Sequence, residues 1–162
     1  MPANRLVCKV SLHTGLRVSD VLNLRTEQLK PSFWVVEAKT GKKKRVGLPA
    51  DLLAQLLAQA GDPWVFPGCR DASKHRTRQA VWRDLKRAAT AFRLVQNIGT
   101  HSMRKVYAVR LLEKYGDIAR VSRALNHSNF GVTMVYAMAD KLLEQRLAKH
   151  RSQRKKTARR RA

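Results

Sequence analysis

The sequence predicts a mainly α-helical domain that carries one small β-hairpin, an α+β fold. Three observations predict it. Apolar residues recur at three- and four-residue spacing along most of the chain. The stretch FWVVEAKTGKKKRVGLP changes to a β-rich composition broken by a turn. The apolar share of 44% is ordinary for a globular protein, and 162 residues suffice to bury a core as one domain.

Taken in order, Leu6, Val7 and Val10 predict a first helix ending at Gly15, a residue suited to a left-handed cap. A second helix starts near Arg17, with Val18, Val21 and Leu22 on one face. Phe33 to Val36 then reads as a strand, TGKK as a turn, and a second short strand reaches Leu48, with Lys39 ending the first strand. Residues 50–60 are helical and stop at Gly61, and GDPWVFPG is loop. A basic helix spans 77–93 through Val81, Trp82, Leu85 and Ala89. Another runs from about Thr100, a good capping type, to Gly116. Asp117 caps a short helix bearing Ile118, Val121, Ser122 and Leu125. Tyr136 lies on the next segment, and a last helix covers roughly 140–148. The closing KHRSQRKKTARRRA has no apolar period, so residues 149–162 are expected to be a basic, disordered tail. No internal repeat is visible.

Charge narrows the function. Lys and Arg number 34 against 11 Asp and Glu, a net charge of +23, which points to a polyanionic partner and most simply to nucleic acid. A membrane surface fits less well, because the basic residues are spread over many elements and do not line one amphipathic helix. Cys8 and Cys69 stand apart with no CxxC spacing, which suits a reducing compartment and gives neither a disulfide framework nor a zinc site. No signal peptide or bilayer-spanning apolar run is present, so a cytoplasmic location is expected. There is no GxxxxGK[ST] loop, and the acids are scattered rather than clustered as a two-metal nuclease needs. Chemistry on a phosphodiester would therefore be done by side chains, with no cofactor and no metal.

Four motifs carry that chemistry. In HTGLRVSD, Arg17 opens a helix and Asp20 is three residues on, along the same face. The pair is either a surface ion pair of little worth or a guanidinium held by an acid behind it, ready to grip a phosphate. In HSMRK, His101 and Arg104 share a face, and the nearby guanidinium disfavours the charged imidazole, leaving it able to accept a proton. Lys39, just before Thr40-Gly41, can swing over a bound backbone, while Lys42, Lys43, Lys44 and Arg45 read as solvated, phosphate-steering charges that contact DNA. In LNHSNFGVTMVY, His127 precedes Tyr136 by nine residues; taken alone, that tyrosine reads as core.

Together TGLRVSD, KTGK, HSMR and LNHSNFGVTMVY resemble the tyrosine recombinases (phage integrases) in order and approximate spacing, over nearly the whole chain from about residue 4 to 148. The resemblance implies a tyrosine-recombinase catalytic-domain-like fold over residues 1–148 and a site-specific DNA recombinase or integrase. It implies Arg17 and Arg104 as the two phosphate-clamping arginines with Asp20 behind them. It likewise implies Lys39 as the hairpin lysine, His101 as the histidine of H-x-x-R, His127 as the second histidine or tryptophan position, and Tyr136 as the nucleophile. Double-stranded DNA is the implied partner, with a tetramer assembled on it through the segment after Tyr136. Family members usually carry an N-terminal core-binding domain, absent here, so the chain is expected to be either a catalytic domain cut from a longer protein or a minimal member resembling the fimbrial-switch invertases.

The chemistry asks for the same residue types. A free tyrosine has a pKa of about 10, so its proton must leave as it attacks. Charge gathering on the phosphate oxygens can be met by two guanidinium forks and an imidazole. The leaving 5′ oxygen needs a proton donor, a task suited to a lysine on a hairpin. The rival expectation is a non-catalytic basic DNA-binding protein, with DIARVSRALNHSNFGVTMVY as a helix-turn-helix in which Tyr136 is core. It leaves Arg17, Lys39, His101 and Arg104 unexplained as a set.

Overall fold

Local sequence decides where the first helix stops. In the computed structural model, which describes residues 2–126, α1 runs Pro2–Thr14 and Gly15 follows at φ +67°, the left-handed conformation that favours glycine. The Gly15 amide closes the turn onto Ser11, and the hydroxyls of Ser11 and Thr14 bond backbone carbonyls within the same turn. Next come α2 (Val18–Leu22) and a 3-10 turn (Thr26–Gln28). The strands β1 (Ser32–Val36) and β2 (Lys43–Gly47) pair antiparallel, with Phe33 opposite Val46 and Val35 opposite Lys44. Four helices complete the described chain: α3 (Ala50–Gln59), α4 (Arg78–Ala91), α5 (Ser102–Tyr115) and α6 (Ile118–Ala124). The expected mixture of helices and one hairpin is the observed one.

The chain divides into two compact units, the first ending at Tyr107. In the first unit α1 packs against α2, α3 and α4. Its buried face of Leu6, Val7 and Val10 meets Val21 and Leu22 of α2, Phe33 and Val35 of β1, and Leu52 and Leu56 of α3 in one apolar cluster. Truncating a fully buried leucine such as Leu56 to alanine would cost about 2–5 kcal/mol. The Pro- and Gly-bearing loop is tied to the cluster, with Val65 and Phe66 fully buried and the Val65 amide on the Leu24 carbonyl. In the second unit the Asp117 carboxylate accepts from the amides of Ala119 and Arg120 and caps α6, as expected, with Val121 and Leu125 buried. No helix among the described residues is long and apolar enough to cross a membrane.

Two boundaries differ from expectation. The first strand ends at Val36, so Lys39 lies inside the turn, where the amides of Thr40 and Gly41 both bond the Glu37 carbonyl. The fifth helix starts at Ser102 rather than near Thr100, because a closed turn precedes it: the Ser102 amide bonds the Gly99 carbonyl and the Gly99 amide bonds the Ser102 hydroxyl. The segments expected around Tyr136 and 140–148, and the tail 149–162, lie outside the described residues.

Candidate active site

Burial of like and unlike charges around one carboxylate is the central feature of the first unit. Strand alternation puts Phe33, Val35 and then Glu37 on the inward face of the hairpin, and Glu37 is fully buried. One oxygen of its carboxylate, Oε2, accepts from Arg17 at 2.6 Å and from the Thr40 hydroxyl at 3.2 Å. The other, Oε1, faces Arg104 at 3.8 Å. Arg17 occupies the residue before α2, in extended conformation, so its side chain leaves from the start of that helix. Asp20, buried on α2, lies 3.8 Å from the same guanidinium and accepts from the Ala38 amide at 3.0 Å. Arg104, buried in the first turn of α5, donates to the carbonyl of Gly15, 89 residues away in sequence, at 2.5 Å.

The sequence expectations meet this geometry unevenly. Arg17, Asp20 and Arg104 do converge, yet the acid bonded to Arg17 is Glu37, which sequence reasoning missed. The signal was there: an acid two residues past Val35 continues the buried alternation, where an ionised group stays only if it is paired. Lys39, Lys42, Lys43 and Arg45 are exposed as expected, with Arg45 bonded to the Ser32 hydroxyl at 2.9 Å. Lys44 is a correction. It is not a solvated steering charge, because β2 turns it inward opposite Val35, where Nζ donates to the Thr14 carbonyl at 2.6 Å. His127 and Tyr136 lie outside the described residues.

The field of the cluster moves the titrating groups. Burial raises Asp20 from its ordinary value, as does Glu37, against the lowering effects of the Ala38 amide, Arg17 and Arg104. His101, immediately before α5, is lowered, first by partial burial and then by Arg104, Arg78, Arg17 and Lys105. The neutral imidazole expected from its neighbouring arginine is thus favoured, with desolvation as the larger cause. What results is a pair of guanidinium groups from distant parts of the chain, paired with buried acids, in whose field a histidine is held toward its neutral form.

Comparison with known proteins assigns the chain to a family. Residues 2–142 match the model of the phage integrase family. The chain belongs to that family. It is 33% identical over 135 residues to the Bacillus subtilis protein named "Probable integrase/recombinase YoeC", covering 80% of this chain and 74% of that one. It is 32% identical over 145 residues to the tyrosine recombinase XerD of Rhizobium meliloti, covering 83% of this chain and 45% of that one. The integrase-family chain thus spans about half the length of most curated relatives that it matches. Its fold is similar to that of the XerH recombinase bound to palindromic difH substrate, with TM-score 0.69, 23% identity, and 92% of this chain and 45% of that chain covered. The catalytic domain of bacteriophage HP1 integrase matches with TM-score 0.56 and 22% identity, covering 82% of this chain and 73% of that one. The tyrosine-recombinase catalytic-domain fold expected from the motifs is therefore the observed one.

Proposed function

We propose that this integrase-family chain cleaves and rejoins DNA strands as a site-specific recombinase, through a 3′-phosphotyrosine intermediate. The observation that carries the proposal is the convergence of Arg17 and Arg104 on Glu37. A buried carboxylate facing two guanidinium groups fixes their direction, and the planar fork of a guanidinium suits the oxygens of a phosphate. Tyr136 attacks phosphorus, and His101, pressed toward its neutral form, accepts the phenolic proton. Arg17, Arg104 and His127 meet the charge that gathers on the non-bridging oxygens. Lys39, on the exposed hairpin turn, donates the proton that the departing 5′ oxygen needs. Because the tyrosyl ester keeps the phosphoester linkage, rejoining to another 5′ hydroxyl needs no ATP. Duplex DNA as partner follows from the net charge of +23 and from the relatives, and assembly of four copies on two duplexes belongs to the same proposal.

The test is incubation with nicked DNA from the ends of the chain's own element, followed by a denaturing gel. Wild-type protein is expected to give an SDS-resistant, protease-sensitive adduct. Tyr136→Phe keeps the ring and removes the attacking oxygen, so it gives none while binding DNA normally. An adduct persisting in Tyr136→Phe would overturn the assignment. Tyr107 is a poor substitute, since its ring lies against Gly15 and under Lys44.

A further inference from the structure

Lys44 is a half-buried cation for which the proposed mechanism has no task. Its ammonium sits on the carbonyl of Thr14, the last residue of α1, and 5.4 Å from the centroid of the Tyr107 ring. The next carbonyl along, that of Gly15, is the one that holds Arg104. Two cations therefore share the negative end of one helix. Gly15 is pressed against the same ring, since any Cβ there would collide with Tyr107. Lys44, Tyr107, the end of α1 and Arg104 are one packed unit.

We propose that Lys44 is a positioning residue for the phosphate clamp: its ammonium holds the carbonyl end of α1, from which Arg104 is aimed, and adds a third positive charge beside the two arginines. The proposal rests on the strand-cleavage reading of the same site. The groups that face Lys44 are Arg104 and Tyr107 from α5, Glu37 following β1, and Arg17 and Asp20 at α2. Burial above all, then Arg104 and Arg17, brings Lys44 down to about 8, while Glu37 and Asp20 act the other way. The bond to Thr14 and the aromatic face offset part of that cost. A phosphodiester in the clamp adds a negative charge and draws the proton back, so the third charge is present when DNA is bound and fades in alkaline solution.

The experiment follows adduct formation on nicked DNA, DNA affinity and thermal unfolding from about pH 6.5 to 9.5 for wild type, Lys44→Arg and Lys44→Met. In wild type with DNA bound, the adduct rate is expected to fall in alkaline solution at a pH above the value of about 8 that Lys44 has without DNA. Lys44→Arg stays charged, keeps the rate within roughly threefold, and moves that fall upward by about one pH unit or more. Lys44→Met slows the adduct roughly tenfold near neutrality while DNA affinity changes less than about threefold. The unfolding arm has its own sign. Folded Lys44 loses its proton near 8 and the unfolded residue near 10.5, so between these values the unfolded chain binds more protons and stability rises with pH. Lys44→Met lacks that rise, so its melting temperature relative to wild type falls between about pH 8 and 9.5, whereas a lysine with an ordinary ammonium would give a difference that does not change over this range. An alkaline fall at the same pH in Lys44→Arg, or an undiminished rate in Lys44→Met, would overturn the proposal alone. Failure of wild type to form any adduct, with the melting pattern as expected, would overturn the strand-cleavage reading and the role of Lys44 with it.

Discussion

Lys43 and Lys44 are the same residue type, adjacent in sequence, and they face opposite ways. Lys43 pairs with Val36 on the outward face of the hairpin, where Trp34 and Val36 are 60% and 59% exposed. Lys44 pairs with Val35 on the inward face, which also carries Phe33, Val46 and Glu37. An outward lysine keeps its water and its rotamer freedom, so it attracts phosphates from many positions and is screened by salt. An inward one loses hydration, gains fixed partners, and acts in one direction on one group. Strand parity, not residue type, decides which kind of charge the hairpin supplies.

The largest test of this contrast is on the inward face. Glu37→Ala leaves the buried Arg104 and the half-buried Arg17 without their shared acid and is expected to cost roughly 3–5 kcal/mol in urea unfolding. Glu37→Gln keeps an acceptor for Arg17 and should lose less stability, yet adduct formation should still fall because the guanidinium groups are no longer held by charge. Equal stability of wild type and Glu37→Ala would remove the carboxylate from its central role.

Next in size is the clamp itself. Arg17→Lys or Arg104→Lys keeps the charge and loses the planar fork. Adduct formation should drop by a factor on the order of 100 with DNA affinity nearly unchanged. If affinity and cleavage fell together, these arginines would be binding residues only, no different in kind from the outward lysines.

The smallest effect is expected on the outward face. Lys43→Ala should leave unfolding unchanged, weaken DNA binding alike for all sequences, and lower the slope of log K against log salt by about one. A Lys43→Ala variant with the pH profile of a Lys44 variant would erase the distinction between the faces.

Much of this was readable from the chain alone, for local reasons. Gly15 ends α1 and Asp117 caps α6 because caps act within one turn of backbone. The hairpin was legible from β-branched residues before TGKK, and Arg17, Asp20, His101 and Arg104 from their spacing within helix starts. Glu37 and Lys44 were not. Lys44 stands in a charged run that reads as solvated, and Glu37 stands just past a strand, until the buried side of the hairpin is known.

The sequence by itself determined the residue types that phosphoryl transfer needs, their order, and the local stops and caps that frame them, since all of these depend on neighbours a few residues away. His127 and Tyr136 belong to that account alone. Only the tertiary structure decided which charges became a site. The bond from Arg104 to Gly15 spans 89 residues, and the ion pair of Arg17 with Glu37 joins the start of a helix to the end of a strand. Seating the inward face of the hairpin on the apolar cluster, with Lys44 on the carbonyl end of α1, removes water from Glu37 and Lys44, and desolvation makes a charge depend on its partners for place and protonation.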